Sequence, residues 1–383
     1  MKWGNKVVET VGWNKMNAKI SNLKELREVG LAGLNIQEKG DALDLPNVED
    51  LDLSRNLFQS MEVIQDIVKD LPNIQILRLN RNRLLFDLVS DGMKNVKILT
   101  LIGTNCKWDN VLSVEPQMPM LEELHLGSNG ISKLSVPKEG QLMNLKVLNL
   151  EDNSLQDWGE ILKLQDLSIG TLSLQNNQIG QIHATSAFKD LKILNLKRNN
   201  ICEWKDVNML NFYNVIELRI GFNPITETVS FTSRLMILTG RLSKVKVLEG
   251  SLITALDRRD AECYYLNQAH EDIDKPNFKD LHPRYDELCA THGTPASVKI
   301  EKTVGDGLIS VLLKGDKQVE KKVHKKLAGR MLKSVLARSC YTQWQKVMKK
   351  ELVLVQGDME MPVDELRDLD FYQVQDGDVF YLK

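Results

Sequence analysis

The chain has little of what secreted or metal-binding proteins usually carry. Its 383 residues include only five cysteines and six histidines. The cysteines are odd in number, widely scattered and never in a C-x-x-C pair, which argues against a disulfide framework. The histidines show no H-x-x-x-H spacing, so no zinc site is predicted. We therefore expect a protein of the cytoplasm that uses no metal and no other cofactor.

An excess of one charge and long apolar runs are also missing. Lysine and arginine number 50, aspartate and glutamate number 52, and the formal net charge is −2. This balance gives no overall attraction for nucleic acid or for an anionic membrane. No apolar run approaches the roughly 18 residues that span a bilayer, and residues 1–8 show no signal-peptide core. We therefore expect neither nucleic acid nor a membrane among its partners.

Motifs of common catalytic sites are absent from the sequence. It contains no G-x-x-x-x-G-K-[ST] loop, which would cradle phosphates, and no G-x-S-x-G nucleophile turn. A ubiquitin ligase would need a catalytic cysteine constellation or a zinc module, and neither pattern occurs. The chain is therefore predicted not to be an enzyme.

The sequence does have a strong internal repeat. The pattern L-x-x-L-x-L-x-x-N-x-L is clearest in three copies, which begin at Leu121, Leu145 and Leu191. Six weaker copies begin at Leu26, Val48, Ile74, Val96, Ile169 and Val215. Successive copies start 22 to 26 residues apart, within the range of about 20–29 residues for leucine-rich repeats. The repeat predicts an α/β leucine-rich-repeat solenoid with a parallel sheet on its concave side.

The ninth position of the repeat is predicted to turn the chain away from the strand. Seven copies carry asparagine there: Asn56, Asn82, Asn129, Asn153, Asn177, Asn199 and Asn223. An asparagine amide can hydrogen-bond backbone groups that burial would otherwise leave unpaired. The other two copies have Leu34 and Thr104 at this position, and we expect irregular turns there.

Four segments are predicted along the chain. Residues 1–25 form an N-terminal flank or cap, and residues 26–262 form the repeat domain with its C-terminal cap. Residues 263–296 are interpreted as a partly helical linker because they contain three prolines in a polar stretch. Residues 297–383 no longer follow the repeat and are predicted to be a second domain. A capping helix is expected over residues 18–28.

The second domain is predicted to be a small α+β roll. Its expected elements are two strands, a helix and two further strands, at residues 308–313, 319–327, 331–336, 351–355 and 379–382. The spacing of Val319, Val323 and Leu327 also fits a helix, and the second strand of a hairpin is favoured. This order, with Leu369–Tyr372 and Asp376–Asp378 near its end, resembles a ubiquitin-like (β-grasp) domain. The chain ends after the last predicted strand without a Gly-Gly tail. We therefore expect a module that acts by contact and is not conjugated to other proteins.

The order of these modules resembles the tubulin-folding cofactor E family. The resemblance covers nearly the whole chain, including the segment His282-Pro-Arg-Tyr285. Lys6–Gly12 is similar to the stretch after that family's CAP-Gly domain, and Leu327–Met331 is similar to a loop of its ubiquitin-like domain. The CAP-Gly domain itself has no counterpart here. The chain is therefore a fragment, a naturally short form, or a cofactor-E-like relative that lacks this domain.

The resemblance implies a non-catalytic role in handling α-tubulin. Members of the family bind α-tubulin and act with other cofactors in assembly and disassembly of the αβ-tubulin heterodimer. The implied partners are α-tubulin, tubulin-folding cofactors B, C and D and a small GTPase, and the implied location is the cytoplasm and cytoskeleton. The alternative is a non-enzymatic adaptor that links a repeat-bound client to the ubiquitin and proteasome system.

Two surfaces are candidates for partner binding. The first is the concave face of the solenoid, with candidate residues Asp52, Arg78, Arg81, His125, Asn149, Lys197, Arg198 and Arg219. The second is a basic run over residues 314–350, where twelve lysines and arginines stand against two acidic residues. Its densest part is Lys321, Lys322, Lys325 and Lys326. Both surfaces suit an acidic partner such as tubulin, and the second also suits a proteasome subunit. Ordinary solvated side chains are the alternative interpretation of each.

Overall fold

The computed structural model describes residues 2–3, 6–7, 23–41, 44–86, 93–184, 188–295, 308–357 and 359–383. The chain forms two compact units, Met1–Pro295 and Ala296–Lys383. Among the helices of the described residues, none has both the length and the apolar character that crossing a bilayer requires.

The first unit is built on one long sheet of short strands. A separate antiparallel pair, β1 (Lys2–Trp3) and β2 (Lys6–Val7), precedes it. The eleven strands of the long sheet are β3 (Glu28–Gly30), β4 (Asp50–Asp52), β5 (Ile76–Arg78), β6 (Ile98–Thr100), β7 (Glu123–His125), β8 (Val147–Asn149), β9 (Thr171–Ser173), β10 (Ile193–Asn195), β11 (Glu217–Arg219), β12 (Val247–Leu248) and β13 (Ser251–Leu252). Strands β3 to β12 pair in chain order and in parallel, and β13 pairs antiparallel with β12. This ladder confirms the predicted leucine-rich-repeat solenoid.

The leucines of the repeat form the core of the solenoid. The central leucine of each strand is aligned with that of the next, as Leu124 is with Leu148. Both side chains are fully buried. Because side chains alternate along a strand, this inward leucine places its two neighbours on the concave face. The repeat pattern therefore fixes which residues lie on the concave face.

Short helices return the chain along the other side of the sheet. They are α1 (Met61–Val68), α2 (Trp108–Val114), α3 (Trp158–Leu162) and α4 (Trp204–Met209). Helix α1 begins where the Ser60 hydroxyl accepts a hydrogen bond from the Glu62 N–H, as an N-cap serine does. Residues 18–22 of the expected capping helix lie outside the described residues. The rest of that segment forms a 3-10 turn, Leu23–Glu25, and then β3, because its backbone joins the parallel ladder.

The repeat asparagines hold adjacent turns together. The Asn153 amide nitrogen donates to the carbonyls of Leu126 at 2.9 Å and Leu150 at 3.0 Å. Its Oδ1 accepts from the N–H groups of Asn129 and Ile131, each at 3.0 Å. The amide nitrogen also donates to the Glu151 carbonyl at 3.1 Å. One buried side chain therefore hydrogen-bonds five backbone groups from two repeats.

The two turns without asparagine at the ninth position differ little in backbone from a turn that has it. A residue with positive φ follows each of them, Asn35 at 58° and Asn105 at 61°, as Gly130 follows Asn129 at 67°. Thr104 replaces the missing amide in part, because its hydroxyl donates to the Leu101 carbonyl at 2.9 Å. Oδ1 of Asn129, in the next repeat, accepts the Thr104 N–H at 2.8 Å.

Five helices close the C-terminal end of the first unit. They are α5 (Pro224–Glu227), α6 (Phe231–Arg241), α7 (Ala255–His270), α8 (Phe278–Leu281) and α9 (Tyr285–His292). The stretch interpreted as a linker, up to Pro295, belongs to the first compact unit. Its described residues continue α7 and add α8 and α9, and they share a small core of Tyr265, Leu266, Ala269, Tyr285 and Leu288.

The second unit has a five-stranded mixed sheet with a helix on one face. Its elements are β14 (Leu308–Lys314), β15 (Gln318–His324), α10 (Gly329–Cys340), α11 (Trp344–Val347), β16 (Leu352–Gln356), β17 (Met359–Pro362) and β18 (Val379–Leu382). The strand order is β15-β14-β18-β16-β17, and β14 and β18 are parallel. Leu332 and Leu336 of α10 pack into the core of this unit with Val311, Leu354 and Phe380.

Candidate partner-binding site on the concave face

The structure brings five of the sequence candidates onto one face. Asp52, Arg78, His125, Asn149 and Arg219 each follow the buried leucine of a strand, so they point away from the core. The parallel register aligns these positions from strand to strand, including Thr100, Ser173 and Asn195 of the intervening repeats. They form a continuous column along the concave face.

A second column, which the sequence interpretation omitted, neutralises much of the first. It contains the residues that precede the buried leucines, among them Asp50, Glu123 and Glu217. Arg78 forms an ion pair with Asp50, and Arg219 pairs with Glu217 at 3.1 Å. His125 lies 3.7 Å from Glu123. The alternation of side chains along each strand would have identified this column.

The Asp50 contact also alters the electrostatics of the Arg78 guanidinium. A hydrogen bond from Arg78 to Asp50 raises the pKa of Arg78 above its usual range. The nearby carboxylates of Asp52 and Glu28 add to this effect. Arg78 is therefore a firmly charged but already paired group, which reduces its attraction for an acidic partner.

Two other candidates support their own turns. Oδ1 of Asp52 accepts the Ser54 N–H at 2.9 Å, and Oδ1 of Asn149 accepts the Glu151 N–H at 2.8 Å. Asp and Asn side chains commonly accept from the backbone two residues ahead. Each side chain therefore has a local structural role, which leaves only part of its hydrogen-bonding capacity for a partner.

Arg81 and Arg198 do not lie on the concave face. They follow the C-terminal ends of strands β5 and β10, and the row of these strand ends is called here the edge of the sheet. Each precedes a repeat asparagine and adopts a left-handed backbone, with φ of 58° and 53°. Both side chains are exposed. Across the described parts of the chain, no carboxylate lies within 4.0 Å of either guanidinium. These two arginines are therefore the unpaired cations of the candidate surface.

Lys197 belongs to a structural contact that closes the sheet. Its ammonium lies 3.2 Å from Glu249. The same Glu249 carboxylate accepts the N–H groups of Ile220 at 2.6 Å and Gly221 at 2.7 Å. In earlier repeats the N–H at the position of Ile220 donates to a carbonyl of the next turn, as Leu196 does to Arg219. The N–H at the position of Gly221 donates there to a side chain two residues earlier, as Lys197 does to Asn195. Strand β12 ends at Leu248, and the Glu249 carboxylate supplies the acceptor for these two N–H groups beyond its end.

Replacing Glu249 with alanine should lower the free energy of unfolding by about 2–4 kcal/mol, because two partly buried N–H groups lose their acceptor. Glu249→Gln should cost less, since its amide oxygen can still accept. The control is Glu49→Ala, which removes only an exposed pair with Arg27 and should have little effect. Urea unfolding followed by circular dichroism measures all three. Equal losses for Glu249→Ala and Glu49→Ala would contradict the closing role.

The basic run of the second unit is not one continuous surface. Lys321 and Lys322 are adjacent in β15, so they point to opposite faces of the sheet. Lys321 donates to the Ser339 hydroxyl of α10 at 3.2 Å, on the helical face. Lys325 and Lys326 follow the end of the strand, and Lys325 is only half-exposed. A partner that binds one face therefore meets only part of this charge.

Comparison with known proteins supplies relatives over most of the chain. The chain is 32% identical to tubulin-folding cofactor E of Arabidopsis thaliana, over 80% of this chain and 63% of that protein. It is 29% identical to tubulin-specific chaperone E of Homo sapiens and of Bos taurus, over 99% of this chain and 80% of each of those proteins. The chain thus spans less than two thirds of the plant relative. These similarities confirm the predicted resemblance to the tubulin-folding cofactor E family.

Comparisons with protein-family models and with solved structures give no further information on function. No protein-family model matches the chain. Among solved structures, the leucine-rich repeat domain of APL1B is 15% identical, with a TM-score of 0.39, over 64% of this chain and 69% of that one. Internalin C2 of Listeria monocytogenes is 21% identical, with a TM-score of 0.34, over 60% of this chain and 82% of that one.

Proposed function

We propose that this chain, a homologue of the tubulin-specific chaperone E proteins, is a non-enzymatic tubulin-folding cofactor that binds α-tubulin. The observation that carries this proposal is the similarity over 99% of the chain to proteins of that name, which spans both compact units. The two unpaired arginines on the edge of the concave sheet support it, since an acidic partner supplies the carboxylates that Arg81 and Arg198 lack. By the same similarity, it would act with cofactors B, C and D and a small GTPase in the cytoplasm and on the cytoskeleton.

We also propose that residues 26–262 are the repeat domain and that residues 297–383 form a ubiquitin-like domain. The strand order β15-β14-β18-β16-β17 supports the second assignment, with the last strand parallel to the first and a single long helix on one face. This arrangement favours a contact module in a chaperone. It also suits the alternative adaptor, which would connect a repeat-bound client to the proteasome.

Tubulin binding can be tested by gel filtration of the full chain with αβ-tubulin at about 0.15 M salt, where weak surface attraction is partly screened. We expect co-elution, or loss of the heterodimer peak once cofactor D is added. Arg81→Glu should weaken binding by about tenfold, because one lost charge-assisted pair corresponds to roughly 1.4 kcal/mol. Lys146→Glu makes the same change in net charge at the opposite edge of the sheet, where Lys146 already pairs with Glu122 at 2.7 Å, and should change binding less.

Three results would count against the chaperone proposal. The first is no change in tubulin elution with or without cofactor D. The second is equal weakening by Arg81→Glu and Lys146→Glu, which would indicate only nonspecific attraction. The third is proteasome binding without tubulin binding, which would favour the adaptor.

A further inference from the structure

One exposed aromatic side chain stands out on the edge of the sheet. Phe222 is 59% exposed and has a φ of 60°, in the left-handed region. Residues with a Cβ rarely adopt that conformation, because the Cβ comes too close to a backbone carbonyl oxygen. In the other regular repeats the position before the asparagine carries polar residues: Arg55, Arg81, Ser128, Asp152, Asn176 and Arg198. Folding gains neither burial nor a relaxed backbone from phenylalanine here.

Two cations lie against the Phe222 ring. The guanidinium of Arg198 is 5.5 Å from the ring centroid and the ammonium of Lys197 is 5.8 Å from it. The Arg198 N–H donates to the Gly221 carbonyl at 3.1 Å, which holds the two turns side by side. A cation within about 6 Å of a ring is attracted to its face. The ring and the arginine therefore present one combined surface.

The cluster of Arg198, Lys197 and Phe222 has a positive net charge. Lys197 forms an ion pair with Glu249, and neighbouring Arg219 forms one with Glu217. Asp152, two turns away, accepts a hydrogen bond from the intervening Asn176 at 2.5 Å. Within the described residues, Arg198 has no carboxylate inside salt-bridge distance. One uncompensated guanidinium thus lies beside an exposed aromatic ring.

We propose that Arg198, Lys197 and Phe222 form a binding site for an acidic segment of a protein partner. A carboxylate of that segment pairs with the Arg198 guanidinium, whose planar fork suits two parallel N–H···O bonds. An adjacent apolar side chain packs on the Phe222 ring. Aromatic residues and arginine dominate the binding energy of protein interfaces, and the strained, exposed phenylalanine is explained by this use.

Single-stranded nucleic acid is a weaker fit to the same residues. Such ligands need a track of cations and several rings on which successive bases stack. Only one exposed ring lies in this cluster, and the formal net charge of the chain is −2. We therefore expect a thymidine oligomer to bind this site more weakly than an acidic peptide does.

The test measures binding of a short acidic peptide to the full chain. The probe is a fluorescein-labelled peptide with one phenylalanine between two pairs of glutamates, and fluorescence anisotropy is read at 50 mM NaCl. A peptide with glutamine in place of glutamate and a thymidine oligomer are the comparison ligands. We expect the acidic peptide to bind most tightly. Arg198→Gln and Phe222→Asn should each weaken it about tenfold, or roughly 1.4 kcal/mol.

Phe222→Asn separates a binding role from a packing role. Asparagine tolerates the left-handed conformation, so the thermal midpoint should stay unchanged or rise while peptide affinity falls. Ser128→Asn makes a similar replacement at the equivalent position of another repeat, where φ is 58°, and should leave affinity unchanged. The proposal is overturned if Phe222→Asn leaves peptide binding intact, or if the glutamine peptide or the thymidine oligomer binds as tightly as the acidic peptide.

The inference shares Arg198 with the proposed tubulin function, but its peptide test does not depend on tubulin binding. The same variants can be measured with αβ-tubulin. Weaker tubulin binding by Phe222→Asn supports the site and identifies tubulin as an occupant. Unchanged tubulin binding with lost peptide binding also supports the site, but it assigns the site to another acidic partner. Failure to bind the peptide overturns the inference whether or not tubulin binds.

Discussion

Replacing Asn153 with aspartate should lower the free energy of unfolding by about 3–6 kcal/mol, although the two side chains have nearly the same shape. Asn153 is only 7% exposed. Its amide nitrogen donates to the carbonyls of Leu126 and Leu150, and an ionised carboxylate cannot donate to either. The substitution therefore leaves two buried carbonyls unsatisfied and places a negative charge beside them.

The expected pH dependence identifies the cause. Burial and the two facing carbonyl oxygens should raise the pKa of the new carboxyl above the unfolded value of about 3.9, against the opposing effect of the Asn129 and Ile131 N–H groups that its other oxygen accepts. The folded state then binds more protons than the unfolded state as the pH falls from neutrality towards that value, so the variant's deficit should shrink. Urea unfolding at several pH values measures this change.

The matched control is Asn144→Asp. The Asn144 amide is exposed and, among the residues that the structure describes, donates only to the Pro119 carbonyl, at 2.8 Å. We expect a loss of about 1 kcal/mol or less at that surface position. If the two substitutions cost the same, or if the Asn153→Asp deficit does not change with pH, the buried amide bonds do not hold the repeats together as the structure indicates.

The repeat pattern predicts some features of the structure but not others. The L-x-L pairs specify which side chains are buried, and the asparagine at the ninth position marks the turn, because both features recur in nearly every copy. The pairing of Asp50 with Arg78 is different. The two residues lie 28 positions apart, and only the register of neighbouring strands brings them together. The concave residues and contacts within one strand, such as Arg219 with Glu217, were therefore predictable, but the pairing of Arg78 with Asp50 across strands was not.

The unusual phenylalanine at position 222 can be recognised from the sequence once the repeats are aligned on their asparagines. The other regular copies have polar residues immediately before it, so phenylalanine departs from the pattern. The positive φ and the flanking cations supply the physical meaning, and these depend on three-dimensional structure. The basic run of the second unit shows the opposite case. Its charges are dense in sequence, yet strand alternation distributes Lys321 and Lys322 between two faces.

The C-terminal helices of the first unit gave little signal in the sequence because polar residues hold them together. Helix α7 buries Glu262 as well as Tyr265 and Leu266. His282 is also buried, with its ring nitrogens 3.0 Å from the Tyr265 hydroxyl and 3.2 Å from Asp272. The spacing of apolar residues along the sequence does not reveal such contacts between polar side chains. The partners of a buried charge must instead be read from the structure.

Arg284 is the centre of this polar packing. Its guanidinium donates to Glu262 at 3.1 Å, to Glu287 at 2.5 Å and to the Gly240 carbonyl. It thereby joins α6, α7 and α9. Burial disfavours its charge, but the hydrogen bonds to Glu287 and Glu262 outweigh that effect and raise the pKa of Arg284. The side chain is 9% exposed and Glu262 is 11% exposed, so water can replace little of this network.

Arg284→Ala should therefore lower the free energy of unfolding by about 3–5 kcal/mol, the cost of leaving a buried partner charge uncompensated. Arg284→Lys should recover only part of this loss, because a single ammonium cannot match the planar fork that binds three acceptors. Glu287→Ala removes a partner that is 57% exposed and should cost much less. Thermal and urea unfolding of the full chain compare the three variants. A loss below 1 kcal/mol for Arg284→Ala would mean that His292, 2.9 Å from Glu262, is sufficient to compensate the buried carboxylate.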